Sequence, residues 1–281
     1  MLAVGLGLLV ATVYGAADFL GGLASRRRAA TVVVLWSQIV GLVALTLLVP
    51  LVGGSPSAGD LGLGAGAGLV GLCGVLLLYR GLGAGRMAVV APLTAVGAAL
   101  VPFLVGVAGG DGLPALRLAG VAAALIGVAL VSRPPPEADA GVARTSVATE
   151  VALGLSAGLA FGLVFVLLAS LSEDAGLGPV LVQRTVSVPA ALLLTTALHL
   201  SRRVGRADLR LIVPTGLCDA AANALFVLAS RAGALSVVGV ISSLYPASTV
   251  LLAALVLKER ITRSQAAGLA LAGGGVVLLA L

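Results

Sequence analysis

The chain is poor in the residue types that build most catalytic and metal sites. It has one histidine, His199, and two cysteines, Cys73 and Cys218, and charged residues make up only 10% of it. The cysteines lie in separate apolar runs without Cys-X-X-Cys spacing, so the sequence indicates neither a disulfide nor a metal site. It also lacks a Walker A loop for ATP. We therefore expect no cofactor and no metal, and a metalloenzyme or an ATPase is disfavoured.

Apolar residues dominate instead. Hydrophobic residues make up 60% of the 281 positions, with a mean hydropathy of +1.19. A soluble domain needs a largely polar exterior and cannot hide this much apolar surface. The composition therefore predicts an integral membrane protein embedded in a lipid bilayer.

The apolar runs have the length of membrane-spanning helices. A span needs about 20 apolar residues, whereas barrel strands alternate at about ten, so the fold class is predicted to be all-α. Ten transmembrane helices are predicted, at 2–22, 31–52, 61–79, 87–108, 115–132, 150–171, 177–199, 210–230, 235–257 and 264–281.

Basic residues collect on one side of this arrangement. The net charge of +6 would suggest an acidic partner such as nucleic acid in a soluble protein, but here it serves as a topology signal, and no nucleic-acid partner is expected. When the loops between the predicted spans are numbered in chain order, fourteen of the seventeen Lys and Arg residues fall in the odd-numbered loops. The exceptions are Arg117, Arg184 and Arg231. Cytoplasmic loops are enriched in these residues, so the odd-numbered loops are predicted to be cytoplasmic. Both termini are then predicted to lie on the outer side of the cytoplasmic (inner) membrane.

The chain divides into two similar halves. A proline-rich cytoplasmic linker, 134–148, is predicted to separate one five-span repeat, 1–133, from another, 149–281. A shift of 148 residues aligns Gly85 with Gly233, Val89-Val90 with Val237-Val238, Asp111 with Glu259, Gly120 with Gly268 and Gly127 with Gly275. Five spans per unit predict inverted repeats with a site between them. Chance similarity between Gly- and Ala-rich helices is the alternative.

Three sequence passages are distinctive: Tyr14-Gly15-Ala16-Ala17-Asp18-Phe19, Leu244-Tyr245-Pro246 through Leu257-Lys258-Glu259-Arg260, and Gln265 with Gly268. Together they resemble the ten-span EamA-type permeases of the drug/metabolite transporter superfamily. The resemblance implies a central cavity lined by both halves, alternating access, and a metabolite, amino acid or drug as the small-molecule substrate. The first half departs from the pattern at Gly109-Gly110-Asp111-Gly112. Glu259 itself, beside Lys258 and Arg260, is interpreted as a structural ion pair at the turn between spans 9 and 10.

Polar groups deep in a bilayer are costly, so the few in this chain are the candidate site residues. Asp219 lies well inside span 8 with Asn223 one turn away, and is a candidate for proton coupling. The alternative is a structural ion pair with Arg184 of span 7. Asp18 is a second proton-coupling candidate, although it also lies close to the arginines that follow span 1. Tyr14, one turn deeper, is large enough to line a cavity.

Proline positions predict where the helices bend. Pro246 lies near the centre of span 9 and cannot donate a hydrogen bond to the carbonyl of Ser242, so a discontinuous helix is expected there. Ser242, Ser243 and Tyr245 join Tyr14 and Asn223 as predicted substrate-binding residues. Pro92 and Pro102 flank the matching part of span 4 and suit a bending gate. A kink for packing alone is the alternative.

The leading hypothesis is a secondary transporter, working by proton coupling or exchange as a monomer or homodimer. A membrane-embedded lipid-modifying enzyme and a non-transporting sensor or scaffold are the alternatives. An enzyme of that kind would need clustered His, Asp or metal ligands, and one histidine with two isolated membrane carboxylates does not supply them. Counterflow of labelled solutes in proteoliposomes separates a transporter from both.

The arginine distribution makes a testable prediction about topology. After removal of Cys73 and Cys218, single cysteines at Ser57 and Ser172 should react with an impermeant maleimide added outside. Cysteines at Ser25 and Ser201 should react only after the membrane is permeabilised. The opposite labelling pattern would reverse the predicted orientation.

Overall fold

The chain folds into a bundle of α-helices in a computed structural model that describes residues 1–25, 27–84, 87–112, 114–133, 146–258 and 260–281. No strand occurs among these residues, as the predicted fold class requires. The helices are α1 (Leu2–Ser25), α2 (Ala30–Val52), α3 (Ala58–Ala84), α4 (Met87–Ala108), α5 (Ala115–Val131), α6 (Val147–Ala169), α7 (Gly178–Ala197), α8 (Arg206–Ala232), α9 (Leu235–Ser242), α10 (Tyr245–Val256) and α11 (Arg263–Ala280).

The helices follow the predicted apolar runs closely. Within the described residues, eight segments are long and apolar enough to cross a membrane, and the stretch from α9 to α10 counts as one of them. Two shorter apolar segments, Leu93–Ala108 within α4 and Ala115–Val131, which is α5, fall below that length. The correspondence arises because a helix satisfies its own backbone hydrogen bonds in lipid, so any apolar run of this length adopts it.

The predicted break in the ninth span is present in the structure. α9 ends at Ser242 and α10 begins at Tyr245, with Pro246 in the first turn of α10. Proline is tolerated in a first turn because its missing N–H would have no partner there. α4, by contrast, runs through Pro92 and Pro102 without interruption. Pro102 packs against Gly239 of α9, where a β-carbon on the glycine would overlap the proline ring. The side chain of Pro92 lies outside the described part.

Polar side chains join the helix ends on one side of the bundle. The Asp60 carboxylate accepts hydrogen bonds from the backbone N–H and hydroxyl groups of both Ser57 and Ser172, at 2.6–2.9 Å. Arg231 donates to the Ser172 carbonyl oxygen at 2.8 Å. These bonds connect the α2–α3 loop, the α6–α7 loop and the end of α8. Ala58 and Glu173 are exposed at this same end, and are better cysteine-labelling positions because they leave the Asp60 bonds intact.

Other contacts join the helix ends on the opposite side. Arg28 forms an ion pair with Asp208 at 2.9 Å, and the Gln265 amide donates to the Arg133 carbonyl oxygen at 3.2 Å. The odd-numbered and even-numbered loops therefore lie at different ends of the bundle, as the arginine count assumes. Glu259 and most of the predicted linker 134–148 lie outside the described residues.

Close packing of α5 against α11 depends on glycine. A β-carbon on Gly127 would lie 2.7 Å from the Ala272 nitrogen and 2.8 Å from the Gly268 oxygen. Both are backbone atoms that cannot rotate away. Small residues allow this approach, which gives membrane helices the dispersion contacts that replace the hydrophobic effect in lipid.

Replacing one of these glycines should loosen the bundle. We expect Gly127→Ala to reduce the free energy of unfolding by about 1–3 kcal/mol, because the added methyl group forces the two backbones apart. Gly273→Ala is the matched control on α11, since its β-carbon would meet no atom within 4 Å. Thermal unfolding of the purified proteins in one detergent measures both. Equal melting temperatures for the two variants would show that this close approach contributes little.

Candidate functional site

An ion pair between α7 and α8 is the centre of the candidate site. Arg184 Nη1 lies 2.7 Å from Asp219 Oδ2. Asp219 is the middle residue of the 27-residue helix α8, so it lies about 20 Å from either helix end. The Arg184 side chain is 4% exposed and that of Asp219 is 29% exposed, so one side of the carboxylate faces open space.

Neighbouring polar side chains hold this pair in place. Arg184 Nη1 also donates to Gln38 Oε1 of α2, and the Ser187 hydroxyl donates to the same oxygen at 2.9 Å. Within the described part of the chain, Arg184 Nε and Nη2 have no acceptor. The guanidinium group therefore joins three helices, while two of its nitrogens are buried without an acceptor among the described residues.

Asn223 extends the network by one turn of α8. Its amide nitrogen donates to the Asp219 carbonyl oxygen at 2.8 Å, and its amide oxygen accepts from Gln183 Nε2 at 3.2 Å. Asn223 is 3% exposed. In this conformation it positions α7 against α8, and its predicted contact with a substrate would require these bonds to open.

Two tyrosines from different halves of the chain contact each other. The rings of Tyr14 on α1 and Tyr245 on α10 lie edge to face, with centroids 6.3 Å apart. Tyr14 also contacts Phe165, which stacks on Phe226 at 4.4 Å. Both tyrosines are half-buried, so each still presents part of its ring to open space.

Asp18 faces the same region. It interacts electrostatically with Asp219 of α8 and with Tyr245 of α10, yet it is exposed. No described residue donates a hydrogen bond to it. Asp18 is exposed on α1, Asp219 is partly exposed on α8, and Tyr14 and Tyr245 are partly exposed on α1 and α10. The accessible region beside these four side chains is called the open space. Near this space lie two carboxylates and one guanidinium group, which together carry one net negative charge when ionised.

The predicted serines lie apart from this open space. Ser242 and Ser243 are both fully buried. The Ser243 hydroxyl donates to the Val240 carbonyl oxygen at 2.7 Å, while the Ser242 hydroxyl has no partner among the described residues. Of the predicted substrate-binding residues, the structure thus gathers Tyr14 and Tyr245 at the opening, beside Asp18 and Asp219. It places Ser242 and Ser243 behind them at the α9–α10 break.

Several site residues lack a clear sequence signal. Gln183 has no motif and is notable only as a polar neighbour of Arg184. Gln38 lies near the start of a predicted span, where polar residues are common. Phe165 and Phe226 are ordinary apolar residues by sequence. The only signal that Phe165 and Phe226 share is that aromatic residues are rare, at 3% of the chain, and these two contact each other.

Comparison with known proteins gives a family match for the second half of the chain and a fold for the whole of it. The EamA-like transporter family profile matches residues 148–281. One crystal structure superposes with a TM-score of 0.72 over 98% of this chain and 95% of that chain, at 18% sequence identity, which shows a shared fold. No curated protein matches this chain in sequence.

A double-mutant cycle tests how strongly the central pair is coupled. Arg184→Met and Asp219→Asn should each destabilise the protein by up to about 3 kcal/mol, since each leaves a partly buried charge unpaired. The double variant should recover about 1–3 kcal/mol of coupling energy. The hydrogen bond between Arg184 and Gln38 is lost in both the single and the double variant that lack Arg184. Its contribution therefore cancels from the coupling energy.

The ion pair between Arg28, whose side chain is partly exposed, and the buried Asp208 is the control for that cycle. Its arginine side chain is 43% exposed, so the same cycle should give at most about 1 kcal/mol. Thermal unfolding in one detergent supplies all the values. Additive effects at Arg184 and Asp219 would mean that their contact contributes nothing to stability.

Proposed function

Residues 148–281 of this chain belong to the EamA-like transporter family, and we propose that the whole protein is a secondary transporter of a small solute. The solute is a metabolite, amino acid or drug, and it crosses the cytoplasmic membrane by alternating access. The observation that carries this proposal is a set of partly accessible polar side chains within apolar helices, namely Tyr14, Asp18, Asp219 and Tyr245. Polar and charged groups inside a bilayer are costly, and they commonly mark the path of a solute or proton.

The pattern of helix contacts supports two inverted repeats. Pairing α1 with α6, α2 with α7, α3 with α8, α4 with α9–α10 and α5 with α11 maps the major helix contacts onto one another. Under this exchange the α1–α8 contact corresponds to α6–α3, and α2–α8 corresponds to α7–α3. The contacts of α2 with α7, α4 with α9 and α5 with α11 map onto themselves. A two-fold relation between the halves has this property.

The glycines of α5 and α11 support the same relation at the level of single residues. Gly120 approaches Gly275, and Gly127 approaches Gly268. The 148-residue shift relates Gly120 to Gly268 and Gly127 to Gly275, so each glycine contacts the equivalent of the other. Reciprocal contact of this kind is expected where a two-fold axis passes between two equivalent helices.

We assign solute contact to Tyr14 and Tyr245. They come from opposite halves, their rings are partly accessible, and they lie at the broken helix. Inverted-repeat transporters commonly place their site at such a break, between the repeats. In alternating access, the helices around the open space change position. Tyr14 would then move relative to Tyr245, and the solute site would become accessible from the other end of the bundle.

We assign energy coupling to Asp219. The carboxylate forms an ion pair with Arg184 but remains partly accessible, so a proton can compete with the guanidinium group for it. Protonation would release Arg184 from one of its two acceptors and loosen α7 from α8. The state of the carboxylate and the packing of these helices are thereby linked.

Replacing Asp219 tests the coupling role. Asp219→Asn keeps the shape but cannot titrate, so it should abolish solute accumulation driven by a proton gradient while exchange continues. Proteoliposomes loaded with labelled solutes measure both activities. Asp174→Asn, which removes an exposed carboxylate from the α6–α7 loop, should keep both. Undiminished accumulation by Asp219→Asn would rule out Asp219 as the proton site.

Replacing Tyr245 tests the solute site. Tyr245→Ala should raise the half-saturation concentration about tenfold, equivalent to roughly 1.4 kcal/mol, because a ring and a hydroxyl contact are lost. Trp36→Ala is the control, since the Trp36 indole donates to the Arg202 carbonyl oxygen at one end of the bundle. That change should lower the melting temperature and leave the half-saturation concentration near that of the unaltered protein. Normal transport after replacement of Tyr14, Asn223 and Tyr245 in turn would place the site elsewhere.

A further inference from the structure

An open pocket of about 820 Å³ lies where α7 ends and α8 begins, next to the first turns of α2. It is far along the helices from the site around Asp219 and belongs to the arginine-rich end of the bundle. The residues that line it are Trp36, Leu200, Ser201, Arg202, Arg203, Val204 and Leu209.

The positive charge of this pocket is not neutralised. The segment 201–210 contains four arginines and one acidic residue, Asp208. That carboxylate is already engaged, by Arg28 Nε at 2.9 Å and by the Gly205 backbone N–H at 3.0 Å. Among the described residues, none accepts a hydrogen bond from Arg203. An anionic group entering the pocket would therefore meet a guanidinium donor that has no competing partner.

The loop that carries these arginines is held in place. The Trp36 indole N–H donates to the Arg202 carbonyl oxygen at 2.9 Å, which fixes the backbone of the loop against α2. Arg202 Nη1 also donates to the Thr196 hydroxyl at 3.3 Å, near the end of α7. A pre-arranged loop loses less conformational freedom when a ligand binds than a free loop does.

The pocket combines this polar rim with an apolar wall. Leu200, Val204 and Leu209 line it together with the Trp36 ring, and Leu209 is 36% exposed. Tryptophan is favoured at the level of lipid headgroups, which places the pocket at the membrane–water interface. A ligand that fits has a phosphate group at one end and a hydrocarbon portion at the other.

We propose that this pocket is a binding site for an anionic phospholipid of the leaflet at the arginine-rich end. The lipid phosphate lies against Arg202 and Arg203, and the adjoining hydrocarbon covers Leu209 and the Trp36 ring. Under the predicted topology this is the cytoplasmic leaflet, whose anionic lipids attract basic segments close to the membrane. The site is separate from the proposed transport path and does not depend on it.

Native mass spectrometry with added phosphatidylglycerol or phosphatidylcholine tests the site. The unaltered protein should bind one phosphatidylglycerol at least about tenfold more tightly than phosphatidylcholine of the same chain length. The double variant Arg202→Gln/Arg203→Gln should lose that preference. Arg202→Lys/Arg203→Lys keeps the charge and should retain most of it, which separates lost binding from failed folding.

A second double variant controls for overall charge. Arg260→Gln/Arg263→Gln removes the same charge from exposed residues at and just before the start of α11. This variant should still bind phosphatidylglycerol tightly. Inorganic phosphate at millimolar concentration should not displace it, because it lacks the hydrocarbon portion. Equal loss in both glutamine variants, equal binding of the two lipids, or displacement by inorganic phosphate would each overturn the proposal.

Discussion

The Arg184–Asp219 ion pair is the interaction on which the interior of this bundle depends. Lipid offers neither charge a partner, so each requires the other, and the helices that carry them must stay together. The 2.7 Å contact fixes α7 against α8, and Gln38 and Ser187 bring α2 into the same network. Asn223 and Gln183 then set the register of α7 and α8 one turn further along. Most other contacts among these helices are apolar and carry no comparable directionality.

The two ends of the bundle are organised differently from its centre. At one end Asp60 joins two loops, and Asp111 accepts a hydrogen bond from the Ser236 backbone N–H at 2.9 Å, in the first turn of α9. A carboxylate at that position compensates the partial positive charge of a helix N-terminus. The opposite end carries an excess of arginine. The carboxylates of Asp60, Asp111 and Asp208 therefore have structural partners at the helix ends, whereas Asp219 has its partner, Arg184, inside the bundle and remains partly exposed.

Much of the fold follows from sequence because a bilayer imposes one length on every span. The expected length of about twenty residues per span locates the helices to within a few residues, and Pro246 indicates the break between α9 and α10. Asp219 and Arg184 stand out because charges inside apolar runs are rare. The sequence does not show which face of each helix is buried in the bundle. In a soluble helix, periodicity separates the buried side from the solvent side, but in lipid both sides are apolar and that signal vanishes. Sequence therefore does not reveal that Ser242 and Ser243 are fully buried, or that Gln183 donates a hydrogen bond to Asn223.

The broken ninth span changes the electrical character of the bundle interior. An uninterrupted spanning helix keeps both ends of its dipole at the membrane surfaces, where water and headgroups screen them. The interruption at 243–244 brings a carboxyl-terminal end, that of α9, and an amino-terminal end, that of α10, into the hydrocarbon layer. Their partial charges have opposite sign and lie only two residues apart, so they partly offset each other and leave a local dipole. Removing every ionisable side chain would therefore still leave a polarised zone inside the protein, supplied by the backbone alone.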